Sequence, residues 1–213
     1  MTGAPVRHHP SDATLLAHAA GQLAQAHRFV VAAHLLGCAT CRGMVRRAEQ
    51  AAGQMLEDLP AEPLPDDVLA RTLARLDEPA PAAPDRAPWM AEPDLPAVLG
   101  GFAARPLGWL GVGIRHEELL RSEGVSLHLL RVRPNTALPQ HLHHGLELTC
   151  VLEGSFHDER GSYGPGDLAE ADDHGPHRPV AAEGGDCLCL MAVSGRLRFT
   201  GALARILQPV LPF

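Results

Sequence analysis

The sequence predicts two domains, an all-α part of four helices followed by an all-β part of short strands, with a break between them at residues 79–97. Three observations lead there. Before the break, apolar residues recur at three- and four-residue steps, the period of a helix face. After it, apolar and polar residues alternate in short runs bounded by turn residues, the period of a strand. In the break itself stand Pro79, Pro81, Pro84, Pro88, Pro93 and Pro96. Proline removes backbone donors and biases the residue before it towards extended geometry, so neither helix nor sheet survives that density. The expected division is 1–78, a semi-extended linker over 79–97, and 98–213. Helices followed by strands, rather than alternating with them, argue for separate domains.

In the first part, Ser11 is placed to cap a helix with Asp12 in its first turn, where negative charge suits the helix dipole. Gly21 stops it. A second helix runs from about Leu23 to Leu36, with Leu23, His27, Val30 and His34 on one face and Gly37 breaking it. A third runs from about Cys38 to Asp58, before Pro60. Pro65 with Asp66 and Asp67 opens a fourth, which carries Val68, Leu69, Leu73 and Leu76 on one side and ends at Pro79. So short a segment has little surface to cover that stripe, and an exposed apolar stripe marks an interaction site. Packing inside the chain as an ordinary fourth helix is the other reading.

In the second part, Val125 to Arg133 alternates, with Val125, Leu127 and Leu129 on one face and Ser126, His128, Leu130 and Val132 on the other. Further strands are expected at Leu146–Leu152, Asp167–Ala171 and Cys187–Val193. Pro134-Asn135, Glu153-Gly154, Gly164-Pro165-Gly166 and Glu183-Gly184-Gly185 supply the turns. Many short strands separated this way suggest a sandwich or a small barrel.

Composition excludes several classes of function. Hydrophobic residues are 46% and charged residues 20% of the 213, which fits a core-forming chain rather than a disordered one. Net charge is −7, and all eighteen cations are Arg. An acidic chain without Lys is a poor partner for nucleic acid, whose phosphates demand clustered cations. No apolar run reaches the ~18 residues of a membrane span, and Met1–Pro10 lacks the basic-then-apolar layout of a secretory leader. A cytoplasmic protein without membrane contact is expected. Five Cys, an odd count, do not form a disulfide framework. Thirteen His need an explanation by position.

The first cluster is His34-x3-Cys38-x2-Cys41. The His ends one helix and the Cys pair opens the next, with Gly37 turning the chain between them. A helix N-terminus favours thiolate over thiol. Three nitrogen and sulfur donors converge where a tetrahedral zinc site takes four, and His8 or His9 can fold back from the tail to complete it. Residues 6–57 resemble the zinc-binding anti-sigma family, whose pattern is an upstream His followed by His-x3-Cys-x2-Cys across a helix junction. The resemblance makes His9 the fourth ligand of a zinc site with His34, Cys38 and Cys41. It implies a domain that wraps a sigma factor of the extracytoplasmic-function group, with the fourth helix, through Val68, Leu69, Leu73 and Leu76, helping to clamp it.

The second cluster begins with His141-x-His143, two imidazoles on one strand face, and Glu147 four residues on. Gly154 follows after six intervening residues, then come Tyr163-Gly164-Pro165-Gly166-Asp167, His174 and His177. The H-x-H-x3-E-x6-G pattern resembles the first motif of the cupin barrels. The second cupin motif runs from a P-x-G turn to a His; Pro165 and Gly166 are adjacent, a small departure, and His174 or His177 can end it. The resemblance to the combined family favours His177. The implied set is His141, His143, Glu147 and His177, for zinc or another divalent metal such as manganese, iron or nickel. Near it, His144, Glu170, Asp172 and Asp173 read as solvated turn residues, and Cys187 and Cys189 as small core residues on one strand face.

Together the two clusters resemble the ChrR family of anti-sigma factors over nearly the whole chain: a four-helix zinc anti-sigma domain joined to a cupin barrel. That resemblance implies a transcriptional regulator, not an enzyme, which inhibits an extracytoplasmic-function sigma factor and releases it on exposure to singlet oxygen or related oxidants. The rival reading is a metal-dependent cupin enzyme, a dioxygenase or isomerase, carrying a zinc-bound interaction domain.

Overall fold

The computed structural model describes residues 5–77, 108–142, 145–172, 175–195 and 198–199. The expected linker, 79–97, lies outside the described residues, as do His143, His144, Asp173 and His174. The helices are α1 (Asp12–Ala19), α2 (Gln25–Gly37), α3 (Ala39–Glu57) and α4 (Val68–Ala74), the last continued by a 3-10 turn at Arg75–Asp77. Ser11 caps α1, its Oγ accepting the Thr14 N–H at 3.2 Å. Gly21, at φ +68°, lets the chain leave after it.

The junction between α2 and α3 differs from expectation. Gly37 is the last helical residue of α2 and does not turn the chain. Cys38 does so, extended at φ −108° and ψ 100°. Its Sγ accepts the Cys41 N–H at 3.4 Å, so a sulfur takes the place of the usual capping oxygen. A methyl on Gly37 would make only ordinary contact with Val6 and the Gly166 backbone, at 3.9 and 4.0 Å.

The strands are β1 (Gly108–Gly111), β2 (Ile114–Ser122), β3 (Val125–Val132), β4 (His141–Leu142), β5 (Glu147–Glu153), β6 (Phe156–Asp158), β7 (Gly161–Tyr163), β8 (Leu168–Ala171), β9 (Val180–Ala181), β10 (Cys187–Ser194) and β11 (Arg198–Phe199). They form a six-stranded antiparallel sheet in the order β1-β2-β3-β10-β5-β8, a three-stranded sheet β7-β6-β9 and a pair β11-β4. The inner face of the large sheet packs on the small one: Val132, Val151, Cys187 and Cys189 meet Phe156, Tyr163 and Ala181. The turn spacing predicts a sandwich or a small barrel, and two facing sheets answer that expectation.

The outer face of the large sheet is covered by the helices. Val125, Leu127 and Leu129 of β3, Leu148 of β5, Leu168 of β8 and Leu190 of β10 share one buried cluster with Leu15, Ala26, Val30, Val31 and Val45 of α1 to α3. Ala26, Val30 and Val31 have no exposed surface. Each fully buried Val contributes about 1.5–3 kcal/mol relative to exposure. The contact between helical and strand parts is therefore built like the inside of a domain, not like a passing contact between two. It explains why β3 is buried on both faces.

Gly154, the last residue of the first cupin motif, has φ +68°, and a methyl on it would collide with the Asp186 carbonyl. β5 and β10 change register at Leu188/Cys189, beside this approach. Gly154→Ala is expected to lower stability by about 1–3 kcal/mol in denaturant unfolding. An unchanged midpoint would show that the turn relaxes without strain.

Two candidate metal centres

The helical centre is assembled from three places in the chain. Donor atoms of His9, His34, Cys38 and Cys41 all lie within 4.8 Å of one another. His9 Nδ1 stands 3.4 Å from Cys38 Sγ and 3.4 Å from Cys41 Sγ. A tetrahedral ion with metal–nitrogen about 2.0 Å and metal–sulfur about 2.3 Å has edges of roughly 3.3–3.8 Å, so these spacings fit one. The chemistry of the donor set fits as well. His34 is fully buried, and its Nδ1–H donates to the Gly166 carbonyl at 2.8 Å. Its other nitrogen, Nε2, is buried without a hydrogen-bond partner among the described residues. A buried imidazole lone pair facing two sulfurs is the arrangement a cation satisfies.

Cys41 departs from its expected chemistry. Burial, with the Cys38 sulfur alongside, pushes the Cys41 thiol up to about 12. That thiol does not ionise by itself near neutral pH and becomes a thiolate only with a cation to displace its proton.

His9 is carried by a strap, residues 5–10, that crosses to the strand part. Asp167 accepts the Arg7 N–H at 2.6 Å and the His8 N–H at 3.0 Å on one oxygen, and the Gly164 N–H at 2.8 Å on the other. Leu168 N–H donates to the His8 carbonyl at 3.1 Å. Burial alone would raise the Asp167 carboxyl; the three N–H donors outweigh it and hold the group below the usual carboxylate range. Further on, Glu170 accepts the Ser11 N–H at 2.8 Å, the Ser11 hydroxyl at 2.9 Å and the Thr14 hydroxyl at 2.9 Å. Glu170 is thus not a solvated turn residue; it ties the cap of α1 to β8.

The second centre lies between the two sheets. His141, Glu147 and His177, all buried, bring their donor atoms within 4.8 Å. His141 and His177 face each other through paired backbone hydrogen bonds of 3.3 and 3.2 Å. His141 Nδ1 bonds the Pro139 carbonyl at 2.7 Å and His177 Nδ1 bonds Asp158 Oδ2 at 3.2 Å. The Nε2 atoms of both rings point to the centre and stand 3.0 Å apart, within hydrogen-bond distance of each other, where a bound cation would take both as ligands. Burial pushes the Glu147 carboxyl up to about 7 and lowers His141 to about 4. A divalent ion would restore the Glu147 charge.

His177 enters the set, while the expected ligand His143 and the alternative His174 lie outside the described residues. Asp158 was not legible as part of the site. Its side chain is only 3% exposed, and although burial alone would raise its carboxyl, the bond from His177 and the N–H groups of Arg160 and Gly161 hold it low. It orients His177 as the carboxylate of a carboxylate–histidine–metal triad does. Thr149, whose hydroxyl donates to Glu147 Oε1 at 3.2 Å, was likewise unforeseen. The cavity beside the centre is lined largely by apolar groups such as Leu130, Phe156 and Met191. Cys187 and Cys189 are buried core residues, as expected, and also border the cavity with their sulfurs 3.5 Å apart.

On α4 no residue is buried. Val68 is half-buried, whereas Leu69, Leu73 and Leu76 are 68%, 52% and 75% exposed. The stripe begins earlier than expected, since Met55, Leu56, Leu59 and Leu64 are exposed as well. Among the described residues no helix is long and apolar enough to cross a membrane.

Comparison with known proteins agrees with this anatomy. The family model of the ChrR cupin-like domain matches residues 104–196. The anti-sigma-E factor ChrR of Cereibacter sphaeroides is 39% identical, with 96% of this chain and 97% of that protein aligned. The crystal structure of Rhodobacter sphaeroides SigE in complex with the anti-sigma ChrR superposes with a TM-score of 0.75 at 38% identity, covering 89% of this chain and 99% of the matched one.

Proposed function

This chain belongs to the ChrR family of anti-sigma factors, and from that membership we propose that it binds and inhibits an extracytoplasmic-function sigma factor in the cytoplasm. The observation that carries the proposal is a relative alignable end to end that is named an anti-sigma factor, together with a solved complex of the matched protein with its sigma factor. The donor chemistry supports zinc at His9, His34, Cys38 and Cys41, where two thiolates and two imidazoles complete a closed tetrahedral shell. His141, His143, Glu147 and His177 hold zinc or another divalent transition metal. Residues 1–78 act as the partner-binding domain, 79–97 as linker and 98–213 as the sensor. The bare stripe of Leu69, Leu73 and Leu76, adjoining Val68, is the clamp surface.

The test is co-purification of the tagged full chain from its own host. A sigma factor should travel with it one to one. Leu69→Ser, Leu73→Ser and Leu76→Ser together should weaken that complex at least tenfold, or about 1.4 kcal/mol. Thermal stability should hold, since exposed leucines contribute little to the core. Recovery of the chain with its metals but without any sigma factor would overturn the proposal.

The sensing half of the reading is that singlet oxygen or related oxidants act at the cupin centre and loosen the helical grip. Replacing His141 and Glu147 with Ala is expected to leave inhibition intact and blunt release by oxidant, read as sigma-dependent transcription before and after exposure. A full response in that variant removes the second centre from signalling.

A further inference from the structure

The helical centre is completed by residues of the strand part, and this has a consequence for metal retention. Two of its four ligands are placed by one turn, Gly164-Pro165-Gly166-Asp167, between β7 and β8. The Gly166 carbonyl fixes the tautomer and ring plane of His34. The Asp167 carboxylate holds the Arg7 and His8 amides, which immediately precede His9. The turn is tightly made: Gly166 has φ +89°, and a methyl on it would press on Val6 of the strap at 3.0 Å.

The same strand reaches the other centre. β8 pairs with β5 so that Ala171 lies opposite Glu147 and Ala169 opposite Thr149. Its alternate residues, Leu168 and Glu170, face the helices and the strap. A second tie runs through α2. His27 Nε2 bonds the Leu146 carbonyl at 3.1 Å, directly before Glu147. His34 lies seven residues later on that helix, two turns or about 10 Å away on the same face. Glu147 and the helical centre are thus linked by two hydrogen-bonded routes, one along β8 and one along α2.

We propose that Gly166 and Asp167 are positioning residues of the helical metal centre, so that the cupin part sets how tightly that centre holds its ion. This rests on the reading of His9, His34, Cys38 and Cys41 as a metal site. Because coupling between two binding events is reciprocal, occupancy of His141, Glu147 and His177 should raise the affinity of the helical centre for its ion, and the converse; slower release is the form in which the tighter binding is read.

Cadmium tests this in the full chain, because thiolate-to-cadmium charge-transfer absorption reports the Cys-containing centre and should vanish in Cys38→Ser. Release is followed as decay of that band in excess chelator. Asp167→Ala should accelerate release by about 10–100-fold, the range for outer partners of metal ligands. Asp167→Asn, which keeps one oxygen to accept the Arg7 and His8 amides, should recover part of the difference. His27→Gln gives an independent variant on the α2 route and should accelerate release several-fold, as should emptying the other centre with Glu147→Ala. A rate in Asp167→Ala and His27→Gln equal to that of the unaltered chain, with the band intact, overturns the coupling while leaving the metal site standing. Absence of the band from the unaltered chain overturns both.

Discussion

Replacing Cys38 and Cys41 together with Ser is expected to empty the helical centre and leave the sigma factor uninhibited. Both sulfurs are almost fully buried, at 4% and 1% exposure, and neither can be exchanged for a hydroxyl without losing a ligand. Structural zinc contributes about 10–16 kcal/mol in small zinc domains, comparable to the entire stability of a typical domain at about 5–15 kcal/mol. Without the ion, the strap, the end of α2 and the start of α3 lose their common point. Zinc content should fall by one per chain, and affinity for the partner by at least about 100-fold, or ~2.7 kcal/mol. Tight inhibition by a variant shown to lack that zinc would falsify the structural role of the centre.

Leu148→Ala should cost about 2–5 kcal/mol, the range for a leucine truncated where the surroundings cannot collapse. Leu148 has no exposed surface and lies in the cluster that the sheet shares with α1, α2 and α3. The form of the transition matters as much as its midpoint. Helix content and near-ultraviolet signals from the strand part should melt together and shift together, since one cluster serves both. If the helical signal melts separately and ignores the substitution, the shared cluster does not bind the two parts into a cooperative unit.

The helices were legible because their signals are local. Ser11 as a cap, the three- and four-residue steps of α2 and the prolines after α3 each act within one or two turns of chain. Both candidate metal clusters announced themselves by spacing for a similar reason: His34, Cys38 and Cys41 sit at one helix junction, and His141 and Glu147 sit on consecutive strands joined by a short connection. The missing strands are the short or half-exposed ones. β6 and β7 have three residues each, too few to display a period, and β2 carries Arg115, Glu117, Glu118 and Arg121 along its length. Asp158 and Asp167 were invisible as supporting residues because what defines them is a partner 19 or 160 positions away. Glu170 was misread by the same route, since a carboxylate near a turn looks solvated until α1 is laid against it. The division into helices and then strands was legible from their order. That order does not express that the outward face of β3, β5 and β10, where the helices pack, is as apolar as the inward one.

The uncovered leucines from Met55 to Leu76 bear on dosage. A chain that carries this much bare aliphatic surface is well behaved only while something else occupies it. Surplus copies would meet one another by the same stripe, and the association would steepen with concentration. Matched synthesis of the chain and its partner then serves solubility as well as control, and a cell that overproduces the inhibitor alone gains clumped inhibitor in place of tighter repression.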